Sequence, residues 1–116
     1  MDLQTILNAI EDKTGIKPYA FNSNVKNSIP AINYTFYRLS DDGVVAQWRL
    51  QLRIVAETFD KVLEIDNDLR HLLVTLGDET KFNCVINING GGTLEDDLTG
   101  YPVQIAYYDL ITRGDL

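Results

Sequence analysis

One long alternating segment of this chain runs directly into an amphipathic one. From Trp48 the even positions read Trp48, Leu50, Leu52, Ile54 and Ala56; the odd ones read Gln47, Arg49, Gln51, Arg53, Val55 and Glu57. A period of two with one dry and one wet side describes a strand covered on one face. Thr58 then offers a helix N-cap, and Phe59, Val62, Leu63, Leu69, Leu72, Leu73 and Leu76 recur at three- and four-residue spacing. A strand with one dry face that leads into a helix with one dry face demands helix packed on sheet. Neither segment contains a reactive constellation, so both read as scaffold and surface.

The flanking segments extend that plan. Residues 3–13 read as a short helix with Leu3, Ile6, Leu7 and Ile10 on one face. Gly15 is placed to end it, and Pro18 blocks its continuation. Residues 16–30 read as a loop, in which Ile16, Tyr19 and Phe21 are the side chains able to pack over an edge. A strand follows at 31–40, then Asp41-Asp42-Gly43, then the long strand at 44–57.

The register of that hairpin follows from keeping its faces apart. A two-residue loop at Asp42-Gly43 pairs Tyr34 with Gln51 and Phe36 with Arg49, which mixes them. A three-residue loop at 41–43 pairs Phe36 with Trp48, Tyr34 with Leu50 and Ile32 with Leu52, and sets Thr35 and Asn33 opposite Arg49 and Gln51. Because a one-residue slip turns every side chain over, the three-residue loop is expected, with Gly43 in the left-handed position.

The second helix spans about 59–76 and ends near Gly77. Asp66 and Arg70 intrude on its apolar arc, four apart in the favourable acid-before-base order. They read either as a pair snorkelling at the sheet rim or as a subunit contact. Two more strands fit 81–89 and 101–112: Phe82, Cys84, Ile86 and Ile88 share one parity, and Tyr101, Val103, Ile105 and Tyr107 are expected on the dry face. Between them, Gly90-Gly91-Gly92 and the acidic run Glu95-Asp96-Asp97 read as a projecting loop over 90–100.

The expected fold is therefore α+β, one domain over residues 1–116. Its order is α-β-β-α-β-β, with two helices on one face of a four-stranded, mostly antiparallel sheet. The other face is expected to carry Tyr37, Leu39, Val45, Val55, Val85, Ala106, Tyr108 and Leu110. Gathered into one patch, these call for a partner. Tyr37, Leu39, Val45, Val55, Asp66, Arg70, Tyr108 and Leu110 are thus the candidate interface residues.

Chemistry is sparse. His71 is the only histidine and Cys84 the only cysteine, so zinc and most transition-metal sites lack ligands and no internal disulfide can form. Ser23, Ser28 and Ser40 have no nucleophile-elbow context. Asp66-Asn67-Asp68 imitates the opening of a calcium loop, but His71 stands where the glycine belongs. The three glycines lack the spacing and lysine of a phosphate-binding loop. Glu95, Asp96 and Asp97, with Asp41 or Asp42, read as hydrated carboxylates with nothing nearby to separate their pKa values. No catalytic residue, cofactor or metal is expected. A formal charge of −7 opposes gripping of nucleic acid, although an acidic ring can let DNA pass. No run approaches the roughly 20 apolar residues of a membrane span, and Met1-Asp2-Leu3-Gln4 is unlike a secretory signal.

The run Ile29-Pro30-Ala31-Ile32-Asn33-Tyr34-Thr35-Phe36-Tyr37, through Asp41-Asp42-Gly43 and Gln51-Leu52-Arg53-Ile54-Val55-Ala56-Glu57-Thr58-Phe59-Asp60-Lys61-Val62-Leu63, resembles small phage tail-completion proteins. These are the tail terminators and head-to-tail joining proteins of long-tailed phages and prophages. The likeness includes Leu69-Arg70-His71-Leu72-Leu73 and the opening helix ending at Thr14-Gly15, and it covers most of the chain in element order. It implies a non-enzymatic virion subunit, made in the bacterial cytoplasm. Such subunits commonly form a hexameric ring between the tail tube protein and the head connector, capping the tube and docking the head. In such a ring Glu95, Asp96 and Asp97 are candidates to line the lumen. Two other classes compete: a dimeric regulatory or interaction domain pairing through its sheet, and a small-molecule-binding α+β domain with a concave polar site.

Overall fold

The computed structural model describes residues 3–21, 29–78, 84–95 and 100–113, with 77–78, 84–95 and Arg113 as backbone path. Helix α1 spans Leu3–Thr14 and buries Ile6, Leu7 and Ile10. It stops at Gly15, whose φ of 73° suits a left-handed cap and whose N–H donates to the Glu11 carbonyl at 2.8 Å. The Thr14 hydroxyl seals the end, donating to the Ile10 carbonyl at 2.7 Å and accepting from the Ile16 N–H at 3.1 Å. The segment read as a loop then contributes a strand, β1 (Tyr19–Ala20), which pairs in parallel with β2. Phe21 extends the contact by donating its N–H to the Tyr34 carbonyl at 2.9 Å.

Strands β2 (Ala31–Asp41) and β3 (Val45–Val55) form the long hairpin, but in another register than expected. Phe36 stands opposite Leu50, Tyr34 opposite Leu52 and Ile32 opposite Ile54. The cause lies in the turn. Asp42 Oδ1 accepts from the N–H groups of Val44 (2.9 Å) and Val45 (2.7 Å), and the Asp42 N–H donates to the Val45 carbonyl at 3.2 Å. The reversal therefore centres on Gly43 and Val44, which moves the partner of Ser40 from Val44 to Gln47. A bulge between Arg38 and Ser40 then takes one position back. The net slip is two, so every side chain beyond the bulge keeps its expected face. Gly43 does adopt a positive φ, 88°.

Helix α2 spans Phe59–Asp78, passing Gly77 by one residue. Thr58 caps it, its hydroxyl accepting from the Lys61 N–H at 3.2 Å and its carbonyl from the Val62 N–H at 3.1 Å. Val62, Ile65, Leu69, Leu73 and Leu76 are buried and join Ile6, Leu7 and Ile10 over Ile32, Leu50, Leu52 and Ile54 in one core. Burial of a side chain such as Leu69 contributes about 1.5–3 kcal/mol.

Strands β4 (Cys84–Glu95) and β5 (Pro102–Arg113) complete a sheet ordered β1-β2-β3-β5-β4. Strand β5 lies antiparallel to both β3 and β4, so β3, α2 and β4 make a crossover with a later strand inserted in the gap. The glycine segment is not a loop. Gly91 and Gly92 pair with Ala106 and Ile105, and the ladder continues to Glu95 opposite Pro102, after an irregularity between Ile88 and Gly91. Glycines admit that bulge without a Cβ to place.

The faces of β5 are the reverse of those expected. Tyr108 stands opposite Leu50, Ala106 opposite Leu52 and Leu110 opposite Trp48, and directly opposed residues share a face. Ala106, Tyr108 and Leu110 are therefore core residues under the helices, Tyr108 at 1% exposure. Both parities of β5 are largely apolar, so alternation could not choose between them. The decisive residue is Asp109, whose charge would be stranded beneath the helices in the other orientation.

Candidate interaction surface

The sheet face away from the helices carries Asn33, Thr35 and Tyr37 from β2, Gln47, Arg49, Gln51 and Arg53 from β3, and Ile105, Tyr107 and Asp109 from β5. Register brings Tyr37, Arg49 and Asp109 side by side across three strands. Arg49 Nε donates to Asp109 Oδ1 at 2.9 Å, and Gln47 Nε2 donates to Oδ2 at 3.3 Å. The Arg49 guanidinium also lies 6.0 Å from the Tyr107 ring centroid. Its hydrogen bond to Asp109, opposed in part by burial, raises the Arg49 pKa further above its ordinary value. The middle of this face is a charge-assisted ladder, not the apolar patch expected there. Of the anticipated members, Val45 is half-buried, and Val55 is buried in a row with Ala31 and Val103. Tyr108 and Leu110 belong to the core instead.

Exposed apolar side chains lie at the hairpin end, and also at Phe21 and Tyr101. Tyr37 is 39% exposed, Leu39 40% and Val44 69%. Leu39 is the residue the bulge leaves out of the ladder. Val44 sits in a turn held rigid by the Asp42 contacts and by Asp41 Oδ1, which accepts from the Gly43 N–H at 2.8 Å. The donors from Val45 and Val44 hold the Asp42 carboxyl below the usual carboxylate range, so it stays ionised. Behind the tip, Phe36 and Trp48 stack diagonally at 5.1 Å with Arg38 over Trp48 at 5.8 Å. Arg38 also meets Asp41 at 3.3 Å. Of the candidate interface residues, Tyr37 and Leu39 are thus exposed. Val44 was missed, and an aliphatic residue directly after Asp-Asp-Gly was the available signal.

Clefts flank the helices among the described residues. One, of about 250 Å³, lies between α1, β1 and β2, lined by Leu7, Pro18, Tyr19, Ala20 and Tyr34 with Gln4, Asn8, Glu11 and Lys17. Lys17 lies 5.6 Å from the Tyr19 ring centroid. The other, of about 310 Å³, runs along α2 beside Asn67, Arg70, His71, Val74 and Thr75. Arg70 is exposed there, while Asp66 is half-buried; burial raises the Asp66 pKa and the charge of Arg70 draws it back. Phe59 and Leu63, one turn apart on α2, are 50% and 39% exposed.

Glu95 ends β4 opposite Pro102; Asp96 and Asp97 lie outside the described residues, as do the side chains of Cys84 and Val85. Among the described residues, no three His, Cys, Asp or Glu side chains gather as a metal site, and no helix is long and apolar enough to cross a membrane. No family model and no curated protein matches this chain.

Proposed function

We propose that this protein is a structural assembly subunit of a phage or prophage virion. In this reading it acts at the head-proximal end of the tail, as a ring that caps the tail tube or joins it to the head connector. The observation that carries the reading is the distribution of surface chemistry. Both helices cover one side of the sheet, Arg49 and Asp109 on the other side are tied to each other, and exposed apolar side chains project at the hairpin end (Tyr37, Leu39, Val44) and on α2 (Phe59, Leu63). Groups arranged for turnover converge on a cavity and keep lone pairs or protons available. Here Arg49, Asp109 and Gln47 spend theirs on each other. A small rigid body with apolar projections suits a subunit that closes with copies of itself and with neighbours. The tail tube protein and the head connector are the neighbours this reading supplies.

Electron microscopy of particles made without this protein tests the proposal. Overlong tails identify a terminator, and tails of normal length detached from filled heads identify a joining protein. Particles of normal form and yield refute both.

A further inference from the structure

We propose that the hairpin tip of one copy of this chain seats in the α1–β1–β2 cleft of the next, an inference that rests on the assembly reading above. The tip offers a knob: Val44 is 69% exposed on a turn fixed by three backbone-to-carboxylate hydrogen bonds, with Leu39 exposed behind it. A preformed apolar projection loses little freedom on docking, which favours association. The cleft offers a matching hole. Its volume of about 250 Å³ falls below the roughly 300–1,000 Å³ usual for small-molecule sites, and its wall is apolar at Leu7, Pro18, Tyr19, Ala20 and Tyr34.

The charges match as well. The tip carries Asp41 and the firmly ionised Asp42, with Arg38 set back along β2. The cleft carries Lys17 and Glu11. An acidic tip entering beside Lys17 sets opposite charges together, with Arg38 kept on Asp41, and this fixes orientation more than affinity.

The contact must join two molecules. Tyr34 lines the cleft, and the tip begins at Asp41 on the same continuous strand, about 23 Å further on at roughly 3.3 Å per residue. A hairpin cannot fold back into a cleft built on its own base. Knob and cleft are different surfaces, so under the assembly reading the contact runs head to tail and closes as a ring where the rotation between copies allows.

Paired cysteines test this. Val44→Cys and Ala20→Cys both alter exposed positions, and wild-type protein, carrying Cys84 alone, is the control. Under mild oxidation the double variant is expected to form a ladder of covalent multimers. An equimolar mixture of the single variants is expected to form dimers containing one of each. Each single variant alone should cross-link no more than wild type. Val44→Cys dimerising by itself as well as the mixture does would overturn the proposal, as would absence of mixed dimers at the highest soluble concentration. Wild-type protein that sediments as an oligomer while the mixture stays uncross-linked removes this contact and leaves the assembly reading standing. The assembly reading fails separately, on normal particles made without the protein.

Discussion

Two neighbouring tyrosines on β5 provide a sharp test of which side of the sheet is free. Tyr108 is 1% exposed and lies under the helices, whereas Tyr107 is half-buried on the opposite face beside Arg49. A buried aromatic removes about 150–250 Å² from water. Truncation to alanine forfeits about 150 Å² of that, or about 4 kcal/mol at 25 cal/mol/Å². This agrees with the roughly 3–5 kcal/mol typical of aromatic-to-alanine changes in cores. Tyr107→Ala removes part of a surface contact and should cost about 1 kcal/mol. Urea titration followed by the fluorescence of Trp48, the only tryptophan, measures both. With a slope of about 2 kcal/mol/M, Tyr108→Ala lowers the midpoint by about 2 M and Tyr107→Ala by about 0.5 M. Tyr108→Phe keeps the ring and should cost no more than about 1.5 kcal/mol, separating burial of the ring from any role of the hydroxyl. Equal losses for Tyr107→Ala and Tyr108→Ala, or a larger loss for Tyr107→Ala, would mean that β5 is turned over. The polar ladder would then be the wrong description of the open face.

Other outcomes follow from single residues. Gly43→Ala meets no atom within 4 Å of the added Cβ, yet must hold φ near +88°; it should cost about 1–2 kcal/mol and speed amide exchange in the hairpin turn. Thr58→Ala removes the acceptor for the Lys61 N–H and should cost about 1 kcal/mol in thermal or urea unfolding, with Thr58→Asp restoring most of it. Burial raises the Asp66 pKa, so its ionised form opposes folding and stability from this residue falls as pH rises through its folded-state pKa. Asp66→Asn should therefore be more stable than wild type at pH 7, with the advantage narrowing as pH falls through the ordinary Asp range. A Tm difference that widens on acidification would contradict this.

The elements that could be read directly were those with one dry and one wet side. The even positions of β3 and the apolar arc of α2 identify themselves because their opposite sides are polar. The cap residues Thr58 and Gly15 marked boundaries that backbone geometry requires. Legibility failed where both sides looked alike. In β5, Tyr-Val-Ile-Tyr on one parity and Ala-Tyr-Leu on the other bury equally well, and only Asp109 opposite Arg49 breaks the tie. Gly90 to Gly92 looked like part of a loop because glycine lacks side-chain preference, but a ladder partner can supply the order the glycines do not. The hairpin register depended on the hydrogen bonds that Asp42 accepts from Val44 and Val45, and on a bulge that leaves no mark on alternation. At the candidate surface, Tyr37 and Leu39 were legible as apolar residues on the far half of β2. Val55, Tyr108 and Leu110 were misassigned: burial on the open face cannot be seen in alternation, and the direction of β5 was reversed. Val44 escaped notice because the strand expected at 44–57 includes it, whereas it lies in the turn before β3.

The position of β5 has a consequence for how the molecule comes into being. Residues 102–113 are translated after all the other strands, yet β3 and β4 meet only through them. Until that stretch emerges from the ribosome, β3 offers one bare edge and β4 has no partner among its own strands. A nascent chain paused just short of residue 102 holds the β1-β2-β3 piece with an open edge and an unpaired β4, both open to any extended peptide nearby. Arrival of the last segment joins them in one step, so the sheet is continuous only once this strand has been made.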